Sequence, residues 1–239
     1  YDFELPEPGL LQVSVTDRDG PLPAKLQLVG FDPSPPLRNS VIASQTGVFG
    51  DVDADATPYG IAVVSFIDRS GMSETLRVEP GDYQLVLSRG PRYSVFKQPI
   101  TIRSGQTTSV QGQLARVVEG AGFVHGDFHV HAIDSPDSEV TREERVAVYL
   151  AEGMDFFTPS DHDIRVDFKP TLEAMGVADL IGTAISSETT TFDYGHFNSW
   201  PTTIDPSKLN GGGVDWGREA PPGMDFPEYA SYVLSPREV

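Results

Sequence analysis

The chain has five histidines and no cysteine, and all five histidines lie between residues 125 and 196. Four of them alternate with carboxylates in the order His129-Val-His131, Asp137, Asp161-His162, Glu188, His196. In a chain with 35 acidic residues, carboxylates alone carry little information. Imidazoles confined to one stretch carry more, because neutral imidazole is the common ligand for zinc, manganese or iron near neutral pH. Along a strand, residues i and i+2 project to one face about 6.5–7 Å apart. His129 and His131 are therefore expected to share one metal ion or to feed two adjacent ones. Asp137 can fold back over the same mouth through the Ser135-Pro136 turn. His162 and His196 add imidazoles, and Glu188 adds a carboxylate able to bridge two ions. Asp161 is expected to orient a histidine rather than to bind metal itself. His125, Tyr194 and Asn198 are expected to contact a substrate, and Asp134 and Asp163 to be turn or rim residues. Ser186 and Ser187 lack the strand-turn-helix setting of a serine nucleophile. Gly211-Gly212-Gly213 lacks the setting of a phosphate cradle.

These ligands need elements to aim them. Phe123 to Val130 reads as a strand. Thr141-Arg142-Glu143-Glu144 is a capping box that opens a helix with Val146, Ala147, Leu150 and Ala151 on one face and Gly153 as its stop. Met154 to Thr158 reads as a second strand, Pro170 to Met175 as a short helix closed by Gly176, and Leu180 to Ser187 as a third strand ending at Glu188. Strand, helix, strand, helix, strand predicts parallel βαβ units with ligands at the C-terminal strand ends.

The first half has a different rhythm. Alternating or apolar runs at 10–15, 25–29, 60–67, 83–88, 95–102 and 107–114 are separated by turn residues, and the run at 60–67 reads as more buried. Short strands of this kind predict an antiparallel sandwich, and the boundary between the two halves falls near residues 116–122. Asp51, Asp53 and Asp55 alternate as part of a calcium loop would, without the glycine and terminal glutamate that an EF-hand requires. At 239 residues a chain can bury roughly 70% of its unfolded surface without disulfide staples. The formal net charge of −18 argues against nucleic acid or an anionic membrane surface as a partner. No apolar run is long enough to span a membrane.

Two resemblances add to this reading. The Pro80-Gly81-Asp82-Tyr83 turn and strand, with the Ile102–Val110 hairpin, resembles the small transthyretin-like or carboxypeptidase-regulatory-like sandwich modules. The string Gly126-Asp127-Phe128-His129-Val130-His131, Asp137, the Thr158-Pro-Ser-Asp161-His162-Asp163 motif and Glu188 resemble the PHP (polymerase and histidinol phosphatase) metallohydrolases. Gly195-His196-Phe197-Asn198 narrows the likeness to the CehA/McbA-type branch. The resemblance implies a multidomain β plus α/β chain. Residues 1–117 would form the sandwich, and 118–239 would form the first part of a distorted (β/α)7 barrel. It also implies two or three divalent ions (Mn, Zn or Fe) held by His129, His131, Asp137, His162, Glu188 and His196. The expected function is that of a metal-dependent hydrolase, a phosphoesterase using metal-activated water on a small-molecule substrate. The alternatives are a carboxylic or carbamate ester hydrolase, or a non-catalytic surface or glycan-binding protein with a relic barrel. The family continues with a further histidine and an Asp-x-His pair on its late strands, and those late-strand residues are not found before Val239. The chain is therefore expected to be a fragment, completed by a second chain or a C-terminal segment. An opening Tyr1 without methionine and the appended sandwich favour an extracytoplasmic setting.

Overall fold

The computed structural model describes residues 6–30, 61–191 and 195–214. The Asp51–Asp55 segment and Tyr194 lie outside them. Two compact units divide the chain, Tyr1–Ala121 with Ala147–Gly153, and Gly122–Val146 with Met154–Val239.

Among the described residues the first unit holds two four-stranded sheets. In one, β1 (Gly9–Asp17) lies between β5 (Leu76–Val78) and β8 (Thr107–Gln113), and β2 (Gly20–Pro21) folds back on its end. In the other, the order is β4 (Ile61–Ile67), β3 (Ala24–Gly30), β6 (Gly81–Ser88), β7 (Phe96–Ile102). Alternation decides which side chains meet. Leu11, Val13 and Val15 of β1, Leu26 and Leu28 of β3, and Tyr83, Leu85 and Leu87 of β6 are buried in one core shared by both sheets. The intervening residues on each strand are less buried. The sandwich is not wholly antiparallel as expected, because β1 and β8 pair in parallel, with Val13 opposite Val110. A second expectation also fails. The run at 60–67 was expected to be buried, yet Ile61, Val64 and Phe66 of β4 are exposed. Among the described residues β4 pairs only with β3, and only its inward residues, ending at Ile67, reach the core.

The second unit begins as the sequence pattern proposes. β9 (Gly126–Val130), α1 (Arg142–Ala151), β10 (Phe156–Pro159), α2 (Lys169–Ala174) and β11 (Gly182–Thr183) follow in order, and the strands pair in parallel as β11-β10-β9. The residues of α1 from Ala147 onward group with the first unit. Thr141 and Glu144 cap α1 reciprocally. The Thr141 amide donates to Glu144 Oε2 at 2.9 Å, and the Glu144 amide donates to Thr141 Oγ1 at 3.2 Å. Gly153, at φ 69°, ends the helix in the left-handed conformation that a side chain would strain. Thr141→Ala is expected to cost about 1 kcal/mol of stability. Urea unfolding of the variant beside the parent protein measures it.

Beyond β11 the barrel expectation fails. The third strand, expected at 180–187, shrinks to two residues, and the chain then turns into a separate antiparallel hairpin, β12 (Ser187–Thr191) with β13 (Gly195–Ser199). Three short parallel strands and a hairpin close no barrel among the described residues. With two short helices and thirteen strands among those residues, the chain is mostly β, so the (β/α)7 fold class is corrected. No helix among the described residues is long and apolar enough to cross a membrane.

Candidate metal centre

The second unit brings the six expected ligands together from four places. His129 is the fourth residue of β9, and His131 follows the strand's end. Asp137 lies in the next loop, where the Ser135 amide donates to the Ala132 carbonyl at 2.9 Å. His162 stands three residues past β10. Glu188 and His196 come from the hairpin, where Thr190 is opposite His196 and Glu188 is opposite Asn198. Opposed residues of a ladder share a face, and so do residues i and i+2, so the hairpin offers Glu188, Thr190, His196 and Asn198 on one side. Ligands at C-terminal strand ends were the expectation for the whole set. That holds for the β9 and β10 histidines but not for Glu188 and His196, each the second residue of its strand.

Glu188 is the hub. It is 1% exposed, yet its two carboxylate oxygens accept no hydrogen bond among the described residues. Oε2 lies 2.9 Å from His131 Nε2, 3.4 Å from His129 Nε2 and 3.3 Å from His162 Nδ1, and Oε1 lies 2.9 Å from His196 Nδ1. These separations are short, but the angles are not those of hydrogen bonds. A buried carboxylate without partners is costly, so a cation is the natural complement. The triangle of His129 Nε2, His131 Nε2 and Glu188 Oε2 has edges of 3.1, 3.4 and 2.9 Å. Ligands bound at about 2.0–2.1 Å around a tetrahedral ion stand roughly 3.3 Å apart, so these donors fit such an ion. Two further groups, His131 with Asp137 and His162, and His162 with Glu188 and His196, also gather ligand atoms within 4.8 Å of one another.

The surrounding contacts orient the ligands. His131 Nδ1 is 3.0 Å from both oxygens of Asp137, and Ser135 Oγ donates to Asp137 Oδ1 at 2.7 Å. The Ser135 hydroxyl first, and then His131, hold the Asp137 carboxyl well below the usual carboxylate range. Asp161 is fully buried and acts on the backbone rather than on an imidazole ring. Its Oδ1 accepts the Ala132 amide at 2.8 Å and so fixes the turn after His131. Burial pushes its carboxyl up from the ordinary value, an effect that the Ala132 amide opposes. Arg145 Nη2 donates to the His131 carbonyl at 2.7 Å, and Arg142 pairs in a two-pronged way with Asp134 at 2.7 Å on each side. Asp134 is thus a structural anchor.

The expected substrate contacts fare differently. Asn198 Nδ2 donates to the Phe128 carbonyl at 3.1 Å, which ties the hairpin to β9. His125 joins none of the ligand groups; its carbonyl accepts the Asp155 amide at 2.8 Å and its amide donates to Asp155 Oδ2 at 2.9 Å. Trp200 stacks on Phe128 with ring centres 4.8 Å apart and interplanar angle 21°, which is packing beside the cluster. Sequence reasoning read Ser135 only as part of a turn and passed over Thr190. Thr190 could have been found, since it stands two residues beyond Glu188 and so shares its face.

No family model and no curated protein matches this chain. Several solved structures do. The minor pilin GBS52 of Streptococcus agalactiae is 19% identical, with a TM-score of 0.31 over 48% of this chain and 47% of its own. The TIE protein of Bacillus anthracis is 11% identical, with a TM-score of 0.30 over 56% of this chain and 20% of its own. The major pilin subunit BcpA of Bacillus cereus is 15% identical, with a TM-score of 0.28 over 46% of this chain and 30% of its own. The chain thus spans less than half the length of each of these. Likenesses at this level carry no function across.

The expected family is corrected on the fold: the chain is mostly β and closes no barrel among the described residues. The hydrolase, phosphoesterase and ester-cleaving expectations rested on that family and fall with it.

Proposed function

We propose that this chain is a non-catalytic, extracytoplasmic binding protein whose second unit holds divalent metal ions. Zinc, manganese or iron suit a donor set of imidazoles and carboxylates. The observation that carries this reading is the buried Glu188 carboxylate, which accepts no hydrogen bond and faces four imidazole nitrogens at 2.9–3.4 Å. A cation there would satisfy both oxygens and would link β9, the loop after β10 and both strands of the hairpin. One ion would take His129, His131 and Glu188 Oε2. A second would lie toward His196 and Glu188 Oε1, with Glu188 as the bridge. The extracytoplasmic setting is supported by the sandwich carried beside the binding unit.

Because ions would bind the folded chain, they should stabilise it. At 100 times the dissociation constant the gain is about 2.7 kcal/mol. Melting of chelator-treated protein with zinc or manganese added back, together with elemental analysis of purified protein, tests the reading. An unshifted melting temperature with no co-purifying metal would sink it. Metal-loaded protein that hydrolyses p-nitrophenyl phosphate or p-nitrophenyl acetate would overturn the non-catalytic part.

Glu188→Gln should lower the number of ions bound per chain. An amide keeps the shape but offers one weak oxygen donor where the carboxylate offers two, so bridging is lost. Calorimetric titration reads the stoichiometry, and an unchanged count would remove Glu188 from the bridge.

A further inference from the structure

We propose that Thr190 is a positioning residue that holds the His162 imidazole as the tautomer protonated on Nδ1. His162 Nε2 is then the nitrogen presented to an ion, on the side of Asp137. The inference rests on reading the cluster as a metal site, and it goes further by assigning which His162 nitrogen binds and what fixes it.

The Thr190 backbone is clamped. Its amide donates to Asp163 Oδ1 at 2.9 Å, and the Asp163 amide donates to the Glu188 carbonyl at 2.7 Å. Asp163 makes both contacts from the left-handed region, at φ 57°. That conformation is uncommon for a residue with a side chain, but aspartate tolerates it. The Glu188 amide donates to the Asp161 carbonyl at 3.2 Å, which closes a parallel bridge between His162 and Glu188. So the segment 161–163 is zipped to 188–190, and Thr190 Oγ1 is set directly against His162 Nδ1.

Proton counting then fixes the ring. A threonine hydroxyl has one proton to give and lone pairs to receive. The Glu188 carbonyl, 3.5 Å from Oγ1, can only accept. When the hydroxyl proton points there, Oγ1 receives a proton from His162, and Nδ1 must carry it. The second neighbour of Nδ1 agrees, since Glu188 Oε2 lies 3.3 Å away and is buried. A nitrogen lone pair beside a buried carboxylate is repelled by it, whereas a nitrogen carrying a proton is attracted to it. At the other end of the ring, Nε2 lies 3.4 Å from Oδ2 of the half-exposed Asp137. A metal ligand whose far nitrogen donates to a fixed oxygen has its tautomer and its orientation set by that oxygen. His131 follows the same logic, with Nδ1 against Asp137 and Nε2 toward Glu188.

The test uses the full chain. Long-range nitrogen–proton NMR of the metal-free protein, with the His162 peaks identified by their loss in His162→Gln, reads the tautomer directly. The expected result is Nδ1–H in the parent protein, a mixture or reversal in Thr190→Val, and recovery in Thr190→Ser. Zinc calorimetry of the same proteins should show one binding step weakened roughly 10–100-fold in Thr190→Val and restored in Thr190→Ser. A parent protein with His162 protonated on Nε2 overturns the proposal, as does an unchanged tautomer in Thr190→Val. Failure of the parent protein to bind zinc at all would instead overturn the metal reading, and the spectrum would still decide the tautomer.

Discussion

Replacing His129 and His131 together by alanine is expected to abolish metal binding and to leave the sandwich folded. Both imidazoles present Nε2 to Glu188 Oε2, and the three atoms stand within 3.4 Å of one another. Losing two ligand atoms from that triangle should weaken binding well beyond the roughly 10–100-fold that loss of an outer-shell partner costs. The carboxylate left behind is the second consequence. Glu188 is buried at 1% exposure and would lose the two imidazole nitrogens nearest its Oε2 on the β9 side. That carboxylate accepts no hydrogen bond from either ring, so metal-free stability should change little, whereas the stability that added metal confers should disappear. Neither histidine belongs to the sandwich core. Elemental analysis and calorimetry measure the first effect, and far-ultraviolet circular dichroism with urea unfolding measures the second. A double variant that retains its metal would show that the ions, if bound, sit elsewhere.

How far the sequence foretold this arrangement depends on the range of the interactions. Period-two alternation identified β1, β3 and β6, because one face of each strand must meet the core. The Thr141-to-Glu144 spacing and Gly153 marked both ends of α1 through local hydrogen bonding and backbone sterics. The site residues were legible by type, since few side chains besides histidine ligate borderline metals, and the structure does gather all six. What was not legible is long-range. Nothing local tells whether Ile61–Ile67 lies in the middle of a sheet or at its end, so an apolar run was read as buried. Nothing local tells that β11 stops after two residues and that Glu188 continues into a hairpin with His196. The motif resemblance filled that gap with a barrel, and it was wrong because a few ligand-bearing strings say little about how the rest of the chain pairs. Asp161 shows the same limit on a smaller scale. Its role was read as orienting a ring, whereas its carboxylate holds the Ala132 amide across the gap between two strands.

The largest loss of stability is expected from the sandwich core. Leu28 of β3 and Leu85 of β6 stand directly opposite one another in the ladder, and both are fully buried. Truncating either to alanine removes apolar contacts and leaves a cavity, because the hydrogen-bonded sheet cannot collapse inward around it. Such changes cost about 2–5 kcal/mol. A typical domain has only about 5–15 kcal/mol in hand, so each variant should unfold at a much lower urea concentration. The slope of the transition should stay the same, since the surface exposed on unfolding barely changes. Val64→Ala provides the contrast. Its side chain is 48% exposed on β4, and its loss should shift stability by no more than about 0.5 kcal/mol. The double variant Leu28→Ala with Leu85→Ala carries the sharper information. The two voids adjoin, so the contact between the leucines is lost once rather than twice, and the combined cost should fall short of the sum of the single costs. Strict additivity would mean that the two side chains do not touch across the ladder, which would contradict the register of β3 against β6 on which the shared core depends.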